Sequence, residues 1–502
     1  MKVLNAQQIK AADEFAIRNE PISSIDLMER AALGCSACFP PIGSWNDLVV
    51  ICGIGNNGAD GLAIARLQKE NFENVRVLIL ETSSQYSDNF AINLERWKNL
   101  GGEIEIIKNA SDIELHSDEL VVDAILGSGI NRPVNGFLAE CIESVNRQKD
   151  YVISIDLPSG LDAVSSNTTC AIKADLTLTI GAPKPTLFFP ESGQYVGEWM
   201  LVDIYLDDYF FKSIDSAPVV MDFVKAASIL KERRPFSHKG IYGKALLVVG
   251  SEGKYGAAIL AARACLRSGV GLLTVHLPSN GSQLIHHSLP EAILSADISK
   301  TEISSIDDID KFDVVGIGPG IGVSFETTKA LLDLIAKITI PIVIDADALN
   351  IISENKSWLE KIPANSILTP HPKEYERLFG KSENSLARVE NQKQNSVKYQ
   401  IYIICKGHYT TITTPSGKVY FNVSGNSGLA KAGSGDVLTG IITSLLAQHY
   451  SSEEAALLGV FIHGHSADLL RETMHENGIL ATDVIEKLPF AFKDISKANY
   501  IE

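Results

Sequence analysis

The sequence predicts an α/β protein with two domains, and three observations support this fold class. The chain has 502 residues, more than one hydrophobic core usually organises. Short apolar runs of strand length alternate with helical segments, which is typical of parallel sheets covered by helices. The alternation stops in the irregular polar stretch 207–220 and then starts again. We therefore predict a first domain over 1–213, a linker over 214–224 and a second domain over 225–502.

In the first domain, apolar periodicity predicts two amphipathic helices over 5–20 and 23–39. A doubly wound parallel sheet is expected to follow, with two more strands in 175–206. The predicted strands are 48–52, 75–80, 103–107, 120–125 and 151–155, and the predicted helices are 62–71, 88–100 and 137–148. Ligands bind at the carboxyl ends of such strands, so we expect the site in the loops that follow them.

The second domain repeats the alternation, and the loops after several of its strands are rich in glycine, aspartate and histidine. Helices are predicted over 222–233 and 257–268. The predicted strands are 245–249, 271–276, 313–317, 340–344, 366–369, 401–405, 409–413 and 418–422. We expect a second layered α/β domain with its own site.

Composition narrows the function classes. The formal net charge is −17, which disfavours binding to nucleic acid or to anionic membranes, since both depend on Lys/Arg patches. No run of about 18 apolar residues exists, so no membrane span is expected. The odd number of scattered cysteines suits a reducing cytoplasm, and Cys35 and Cys38 are interpreted as core residues. We expect a cytoplasmic homo-oligomer that acts on small molecules.

The stretch Gly425–Leu438 carries four glycines and leads into an apolar helix. A glycine-rich loop before a helix presents free N–H groups and the positive end of the helix dipole to an anion. Asp436 lies at this helix start, where a carboxylate could take a proton from a substrate hydroxyl. The alternative is that Asp436 is only an N-cap.

The loop Gly53–Gly58 fits G-x-G-x-x-G between a strand and a helix, and Glu81 follows the next strand. This combination makes a nicotinamide-dependent dehydrogenase an alternative. Against it, Asn56, Asn57 and Asp60 place polar side chains where a pyrophosphate needs bare amides.

Later loops of the first domain add further candidates. Gly127–Gly129 with Arg132 is a plausible phosphate cradle. Asn57, Asp123 and Ser159 are oxygen donors at neighbouring strand ends, as a hard cation requires. Each alone could be a turn or N-cap residue; their joint placement indicates a site.

The segments Gly53–Gly61, Gly127–Pro133 and Asp156–Asp162, with Lys184, resemble the NAD(P)H-hydrate epimerase domain over about 1–210. The resemblance implies a Rossmann-like fold, a potassium ion on Asn57, Asp123 and Ser159, and Asp156 as acid/base. The implied substrate contacts are Asn57, Gly58, Ala59, Asp60, Gly61, Gly127, Ser128, Gly129, Ile130, Asn131, Arg132, Pro133 and Asp156. Ala59 stands where glycine is common in that family.

The second domain resembles the ADP/ATP-dependent NAD(P)H-hydrate dehydratase, a ribokinase-like fold, over about 225–495. The matching segments are Lys239-Gly240 with Gly243, Tyr255–Ala257, Gly318–Gly320, Asp345–Asn350, Thr369–Glu374, Lys406–Thr410 and Gly425–Asp436. The implied substrate contacts are Ala257, Gly320, His371 and Asp436, and the implied nucleotide contacts are Lys406, Gly407, His408, Tyr409, Thr410 and Gly435. The departures from that family are Ser427, Leu429, Ser434 and the pair His408-Tyr409.

Together the two resemblances imply a bifunctional repair enzyme. The first domain would interconvert the R and S epimers of NADH hydrate and NADPH hydrate, and the second would dehydrate the S epimer with ADP, or ATP. ADP, Mg²⁺ and K⁺ are the implied cofactors. Two further alternatives remain: a small-molecule kinase that uses Asp436 as base, and a non-catalytic first domain.

Lys406 could also be a plain surface lysine, and His463 and His465 are interpreted as packed or capping residues.

Overall fold

The structure is a computed structural model that describes residues 1–41, 45–129, 133–149, 151–164 and 168–497. The chain forms two compact units. One comprises Lys2–Ala217, and the other comprises Met1 and most of 218–497. Among the described helices, none combines the length and the apolar composition that a membrane span requires.

The first unit contains a seven-stranded parallel sheet with the strand order β3-β2-β1-β4-β5-β6-β7. Its elements are α1 (Ala6–Asn19), α2 (Ser24–Ala37), β1 (Asp47–Cys52), α3 (Asn56–Gln68), β2 (Asn74–Leu80), α4 (Asp88–Asn99), β3 (Glu103–Ile107), β4 (Glu119–Ala124), α5 (Phe137–Gln148), β5 (Val152–Ile155), β6 (Leu176–Ile180), α6 (Gly193–Val196), β7 (Glu198–Val202) and α7 (Asp208–Ser213). The strand order reverses between β1 and β4, so their carboxyl ends flank the crevice where such sheets bind ligands.

The helix after the first glycine-rich loop begins at Asn56 and not at 62. The sequence prediction was wrong here because glycine and asparagine are poor helix formers, and tertiary packing overrides that preference. The first turn of α3 lies directly on the sheet. A Cβ on Gly58 would lie 1.8 Å from the Gly53 carbonyl oxygen, and one on Gly61 would lie 2.5 Å from the Ala124 Cβ. Only small residues allow this approach.

The second unit contains a ten-stranded sheet with the order β11-β10-β9-β12-β13-β14-β15-β16-β17-β8. The strands from β11 to β15 are parallel, and β16 is antiparallel to both of its neighbours. The strands are β8 (Val219–Met221), β9 (Lys244–Val248), β10 (Leu272–Pro278), β11 (Ile293–Asp297), β12 (Val314–Ile317), β13 (Ile342–Ile344), β14 (Ile367–Leu368), β15 (Tyr402–Cys405), β16 (Thr411–Thr413) and β17 (Val419–Asn422). The order reverses between β9 and β12, which places a second ligand-binding edge at the carboxyl ends of the central strands.

Helices cover both faces of this second sheet. They are α8 (Phe223–Ile229), α9 (Tyr255–Arg267), α10 (Ser282–Ser288), α11 (Phe325–Lys337), α12 (Ala346–Glu354), α13 (Pro372–Phe379), α14 (Ser385–Tyr399), α15 (Ser434–Ala447), α16 (Ser452–Arg471) and α17 (Ala481–Lys497). The α/β fold class predicted for both units is confirmed.

The sequence predicted an irregular stretch over 207–220, but part of this stretch has regular secondary structure. It contains α7 and the start of β8, which pairs in parallel with β17 in the second sheet. Part of the predicted linker 214–224 is therefore a sheet strand. Both elements are short and have polar neighbours, so their apolar pattern was too brief to predict them.

Helix α15 is the central helix of the second unit. Every residue from Val437 to Ala447 is buried, as expected for a helix that is apolar all round. It packs closely on α9, because a Cβ on Gly440 would lie only 2.1 Å from the Ala261 carbonyl oxygen. This packing fixes the position of the first turn of α15, which carries Asp436.

Replacing Gly440 with alanine should push α15 away from α9. We expect Gly440→Ala to lower the free energy of unfolding by about 2 kcal/mol, since overpacking forces the backbone to shift. The matched control is Gly256→Ala in α9, where no atom lies within 4 Å of the added Cβ. Urea unfolding followed by circular dichroism measures both. Equal stability of the two variants would contradict the close packing.

Candidate active sites

Asp123, in β4, organises the crevice of the first unit. Its side chain is fully buried. One carboxylate oxygen accepts hydrogen bonds from the Ser159 hydroxyl at 2.5 Å and the Ile125 N–H at 3.2 Å. The other accepts from the Ser159 N–H at 2.8 Å and the Ser154 hydroxyl at 2.7 Å. Burial raises the pKa of Asp123 although these bonds oppose the rise. The structure thus brings together Asp123 and Ser159, two of the predicted cation ligands.

Asp156 directly follows β5 and has a left-handed backbone, with φ of 68°. Its Oδ1 accepts a hydrogen bond from the Lys184 ammonium, and its Oδ2 accepts one from the Ser128 N–H at 2.9 Å. Burial alone would raise the pKa of Asp156, but the charge and hydrogen bond of Lys184 and the bond from Ser128 lower it below its ordinary value. Asp156 is therefore a half-buried carboxylate, 14% exposed, that stays ionised.

Lys184 is the charge that makes this possible. Its side chain is 0% exposed, which is rare for lysine. Besides Asp156, the ammonium donates to the Thr179 hydroxyl at 3.0 Å and to the Ile180 carbonyl at 2.9 Å. All three ammonium protons thus have partners. The sequence pointed to Lys184 only through its family resemblance.

Gly127 lies between Asn57 and Asp156. A Cβ at Gly127 would lie 3.2 Å from Asn57 Oδ1 and 3.2 Å from Asp156 Oδ2, so both side chains face the same bare stretch of backbone. The buried Nδ2 of Asn57 has no hydrogen-bond partner among the described residues. An unpaired buried donor is costly, and a ligand acceptor would satisfy it.

The other predicted substrate contacts of this unit lie in different surroundings. Gly58, Ala59 and Gly61 are buried in α3, whereas Gly129 and Pro133 are exposed. Ile130, Asn131 and Arg132 lie outside the described residues, and so does any phosphate cradle that they would form.

Two further carboxyl groups belong to this cluster. Burial raises the pKa of Asp60 well above its ordinary value, and Asp156 and Asp13 raise it further. Burial, with the Asp156 charge, raises the pKa of Asp13 to about 6 although Lys184 opposes the rise. Sequence reasoning missed Asp13, because it lies on α1 and no motif marks it. The cluster therefore combines an ionised carboxylate with carboxyl groups that hold their protons more tightly.

Asp345 organises the second site. It follows β13 and is 1% exposed. Its Oδ1 accepts a hydrogen bond from the Lys406 ammonium at 2.9 Å, and its Oδ2 accepts one from the Thr439 hydroxyl at 2.7 Å. Asp345 thereby connects the loop after β15 to α15. No role of its own was assigned to Asp345 from the sequence.

Asp436 lies in the first turn of α15, but it is not the N-cap. That position is taken by Gly433, with a left-handed φ of 93° and no side-chain bond to the helix. The interpretation of Asp436 as only an N-cap is therefore wrong. Burial, with the charges of Asp345 and Asp347, raises the pKa of Asp436 to about 6, although Lys406 opposes the rise. Such a carboxyl group can exchange protons near neutral pH.

The predicted nucleotide segment begins at Lys406. Its side chain is 23% exposed and ion-paired with Asp345, so the surface-lysine interpretation is wrong. Burial alone would lower the pKa of Lys406, but Asp345, Glu374 and Asp436 raise it above its ordinary value. A Cβ on Gly435 would lie 3.3 Å from the Lys406 ammonium nitrogen, which brings these two predicted contacts together.

The remainder of that segment forms a turn. Gly407 and His408 are exposed, and the His408 and Tyr409 rings lie 4.3 Å apart. Thr410 is buried, and its hydroxyl donates to the Gly407 carbonyl at 3.1 Å.

His371 caps helix α13. Its Nδ1 accepts hydrogen bonds from the Lys373 N–H at 3.1 Å and the Glu374 N–H at 3.2 Å. These bonds assign the ring proton to Nε2, which lies 3.4 Å from Glu374 Oε1. Elsewhere at this edge, a Cβ on Gly320 would lie 3.1 Å from the Ala257 Cβ, so these two predicted contacts also lie together.

Helix α16 anchors the glycine-rich loop. The Asp468 carboxylate accepts from the Gly425 N–H at 2.8 Å and the Asn426 amide at 3.1 Å. His463 Nε2 lies 3.4 Å from the Ser434 hydroxyl. Burial and the Lys406 charge lower the pKa of His463 to about 4, so the ring is neutral at pH 7. The interpretation of His463 as a packed residue is compatible with its burial, but the sequence did not reveal its contact with the loop.

Comparisons with known proteins match one family model to each unit. The family model described as YjeF-related protein N-terminus matches residues 24–186, and the model described as NAD(P)H-hydrate dehydratase matches 245–490. Both are α/β enzyme domains in this chain, one for each site.

Similar proteins match along nearly the whole chain. The bifunctional NAD(P)H-hydrate repair enzyme Nnr of Thermofilum pendens is 33% identical over 98% of this chain and 96% of its own. The enzyme of the same name from Coxiella burnetii is 34% identical over 96% of this chain and 97% of its own. The chain belongs to the family of bifunctional NAD(P)H-hydrate repair enzymes, as the sequence resemblance predicted, and has an epimerase and a dehydratase domain.

A solved structure is similar to the second unit. It is the ADP/ATP-dependent NAD(P)H-hydrate dehydratase from Bacillus subtilis, co-crystallized with ATP/Mg²⁺. It is 32% identical and covers 55% of this chain and 99% of its own, with a TM-score of 0.49. The family assignment argues against the three alternatives that the sequence left open. These were a nicotinamide-dependent dehydrogenase, a small-molecule kinase and a non-catalytic first domain.

Removing the Asp123 carboxylate should destabilise the first unit. Asp123→Ala leaves the buried N–H groups of Ile125 and Ser159 without an acceptor, so we expect the free energy of unfolding to fall by about 3 kcal/mol. Asp118→Ala is the control, because Asp118 is exposed. Urea unfolding of both variants measures the difference. A loss no larger for Asp123→Ala than for the control would contradict the proposed role of Asp123.

Proposed function

We propose that the first unit interconverts the R and S epimers of NADH hydrate and NADPH hydrate, with Asp156 as its acid/base. The single observation that supports this role most directly is the half-buried Asp156 carboxylate, held ionised by Lys184 beside the bare backbone of Gly127. Epimerisation requires a proton to leave the substrate and to return. An ionised carboxylate can accept that proton, and Asp60, whose pKa is raised by burial, is the neighbouring group that would return one.

Asn57 is proposed to orient the substrate in this unit. Its unpaired, buried amide donor lies beside Gly127 and Asp156, where an oxygen of the substrate would satisfy it. Gly129 is exposed, so its backbone is accessible to the remainder of the nucleotide. Gly58, Ala59 and Gly61 contribute by letting α3 approach the sheet, which brings Asn57 and Asp60 to the crevice.

Asn57, Asp123 and Ser159 would hold a potassium ion. The three side chains offer only oxygen ligands, which suits a hard cation, and Asp123 and Ser159 lie in direct contact. A cation there would neutralise the buried Asp123 carboxylate, whose pKa is raised by burial.

The second unit is proposed to dehydrate the S epimer with ADP, and ATP can replace ADP. Hydroxide is a poor leaving group, and the nucleotide converts the substrate hydroxyl into a phosphate, which leaves more readily. Asp436 accepts the proton of the substrate hydroxyl as that oxygen attacks the terminal phosphorus of ADP and AMP departs. The C–O bond then breaks, phosphate leaves with the bonding electrons, and loss of the proton from the neighbouring carbon restores the ring double bond.

Other residues of the second unit would bind the two substrates. Lys406 and the N–H groups of Gly433 and Gly435 would contact the nucleotide phosphates, as a lysine and a helix start do in phosphate sites. Gly407, His408, Tyr409 and Thr410 would contact the remainder of the nucleotide, and Ala257, Gly320 and His371 the hydrate. Mg²⁺ would come with the nucleotide phosphates and neutralise their charge, since the described residues contain no cluster of three or more metal-ligating side chains.

Replacing Asp436 should abolish dehydration. With purified S epimer, ADP and Mg²⁺, we expect Asp436→Asn to lower kcat about a thousandfold, because the amide cannot accept the hydroxyl proton. Nucleotide binding, measured by calorimetry, should remain. Asp333→Asn, an exposed change on α11, is the control and should keep wild-type kcat. Near-normal turnover by Asp436→Asn would refute its role as base.

The pH dependence gives a separate test. Since the pKa of Asp436 is about 6, its carboxylate form is lost as pH falls through 6. We expect kcat/KM for S-epimer dehydration to fall about tenfold for each pH unit below 6. Initial rates at saturating ADP between pH 5 and 8 measure this. An acid limb near pH 4, the range of an ordinary aspartate, would contradict the raised pKa.

A further inference from the structure

We propose that Asp345 is a positioning residue of the second active site, which fixes the Lys406 ammonium beside Asp436 and thereby decides the pH range in which Asp436 acts as a base. This inference rests on the proposed dehydratase function. It concerns a residue that lies in the matching segment Asp345–Asn350 but had no role assigned to it from the sequence.

Geometry excludes direct contact of Asp345 with the substrates. The residue is 1% exposed, and both of its carboxylate oxygens are occupied, one by Lys406 and the other by Thr439. A carboxylate enclosed in this way acts on the site through its partners and through its charge. Lys406 is the partner that reaches the open side of the site, where a Cβ on Gly435 would lie 3.3 Å from its nitrogen.

The backbone around Asp345 is rigidly held. A Cβ on Gly318 would lie 1.8 Å from the Asp345 carbonyl oxygen, and the Asp345 N–H donates to the Ile317 carbonyl at 3.1 Å. The next residue, Ala346, has a left-handed φ of 49°, which costs a non-glycine residue free energy. A backbone that is packed and strained in this way holds the carboxylate in one place, and Lys406 with it.

The charges around Asp436 explain what this placement does. Asp345 and Asp347 both raise the pKa of Asp436, and Lys406 lowers it. Asp347 is itself paired with Lys254 at 2.9 Å. Beyond these groups, Glu374 acts on Lys406, and His463 is neutral at pH 7. Asp345 is therefore the negative charge that balances Lys406.

Removing the charge of Asp345 and removing the charge of Lys406 should shift the pKa of Asp436 in opposite directions. Asp345→Asn removes the charge but keeps an oxygen that can accept from Lys406, so the ammonium stays beside Asp436 and is opposed only by Asp347. The pKa of Asp436 then falls. Without the ammonium, the carboxylates dominate, and that pKa rises. A residue that merely supported the fold would change stability or rate but would not move the two profiles in opposite directions.

The test compares Asp345→Asn, Lys406→Met and Thr439→Val in the full-length enzyme. We measure kcat/KM for the S epimer against pH with ADP and Mg²⁺. The acid limb should move about one pH unit lower in Asp345→Asn and about one unit higher in Lys406→Met. Thr439→Val keeps both charges and removes one bond to Asp345, so its limb should stay within about 0.3 units of wild type.

A second measurement does not depend on turnover. The ¹³C resonance of the Asp436 carboxyl group, assigned by its loss in Asp436→Asn, reports its titration directly in each variant. The same two opposite shifts are expected. If Asp345→Asn does not fold, the rise in Lys406→Met with no change in Thr439→Val carries the test.

An unchanged or raised limb in Asp345→Asn would overturn the inference, and so would a limb in Thr439→Val that moves as far as that in Asp345→Asn. An unchanged or lowered titration in Lys406→Met would do the same. Absence of any dehydration by the wild-type enzyme would instead refute the proposed function, and the carboxyl titrations would still decide the role of Asp345.

Discussion

In each unit, the site depends on an ion pair between an aspartate and a lysine that follow the carboxyl ends of parallel strands, with at least one partner of each pair fully buried. Asp156 pairs with Lys184 in the first unit, and Asp345 pairs with Lys406 in the second. Burying a carboxylate disfavours its charged form, and a well-placed ammonium restores it. The desolvation cost makes such pairs poor sources of stability, so their purpose is better sought in the chemistry beside them.

The two pairs serve that chemistry in different ways. In the first unit the paired carboxylate is itself the proposed base, and Lys184 holds its pKa below the ordinary value. In the second unit the paired carboxylate is enclosed, and the proposed base is the neighbouring Asp436, whose pKa is raised to about 6. Glycine makes both arrangements accessible, because Gly127 and Gly435 leave bare backbone where a Cβ would approach the charged groups.

Much of the architecture could be predicted from the sequence. Alternating apolar strands and helices identified both sheets, and post-strand loops identified most of the described site residues that the structure brings together. The errors came where tertiary contacts override local preference. Helix α3 begins within the glycine-rich loop because small residues let it lie on the sheet, and β8 is recognisable only from its pairing with β17.

The parts of the sites that the sequence could not reveal are contributed by distant elements. Asp13 reaches the first cluster from α1, and His463 and Asp468 reach the glycine-rich loop from α16. None of them lies in a recognisable motif. The enclosure of Asp345 is likewise a property of packing, since its partners Lys406 and Thr439 lie far from it in the chain.

The central claim is that the chain carries two separate catalytic carboxylates, one for each reaction. The most direct test uses an equimolar mixture of R and S hydrates with ADP and Mg²⁺. The return of reduced-nicotinamide absorbance is measured over a time too short for uncatalysed epimerisation. The wild type should convert both epimers to the reduced nicotinamide nucleotide. Asp156→Asn should convert the S epimer at the wild-type rate and leave the R epimer unconverted. Restoration of the R share by Asp156→Asn as fast as by the wild type, or loss of S dehydration in that variant, would contradict the account.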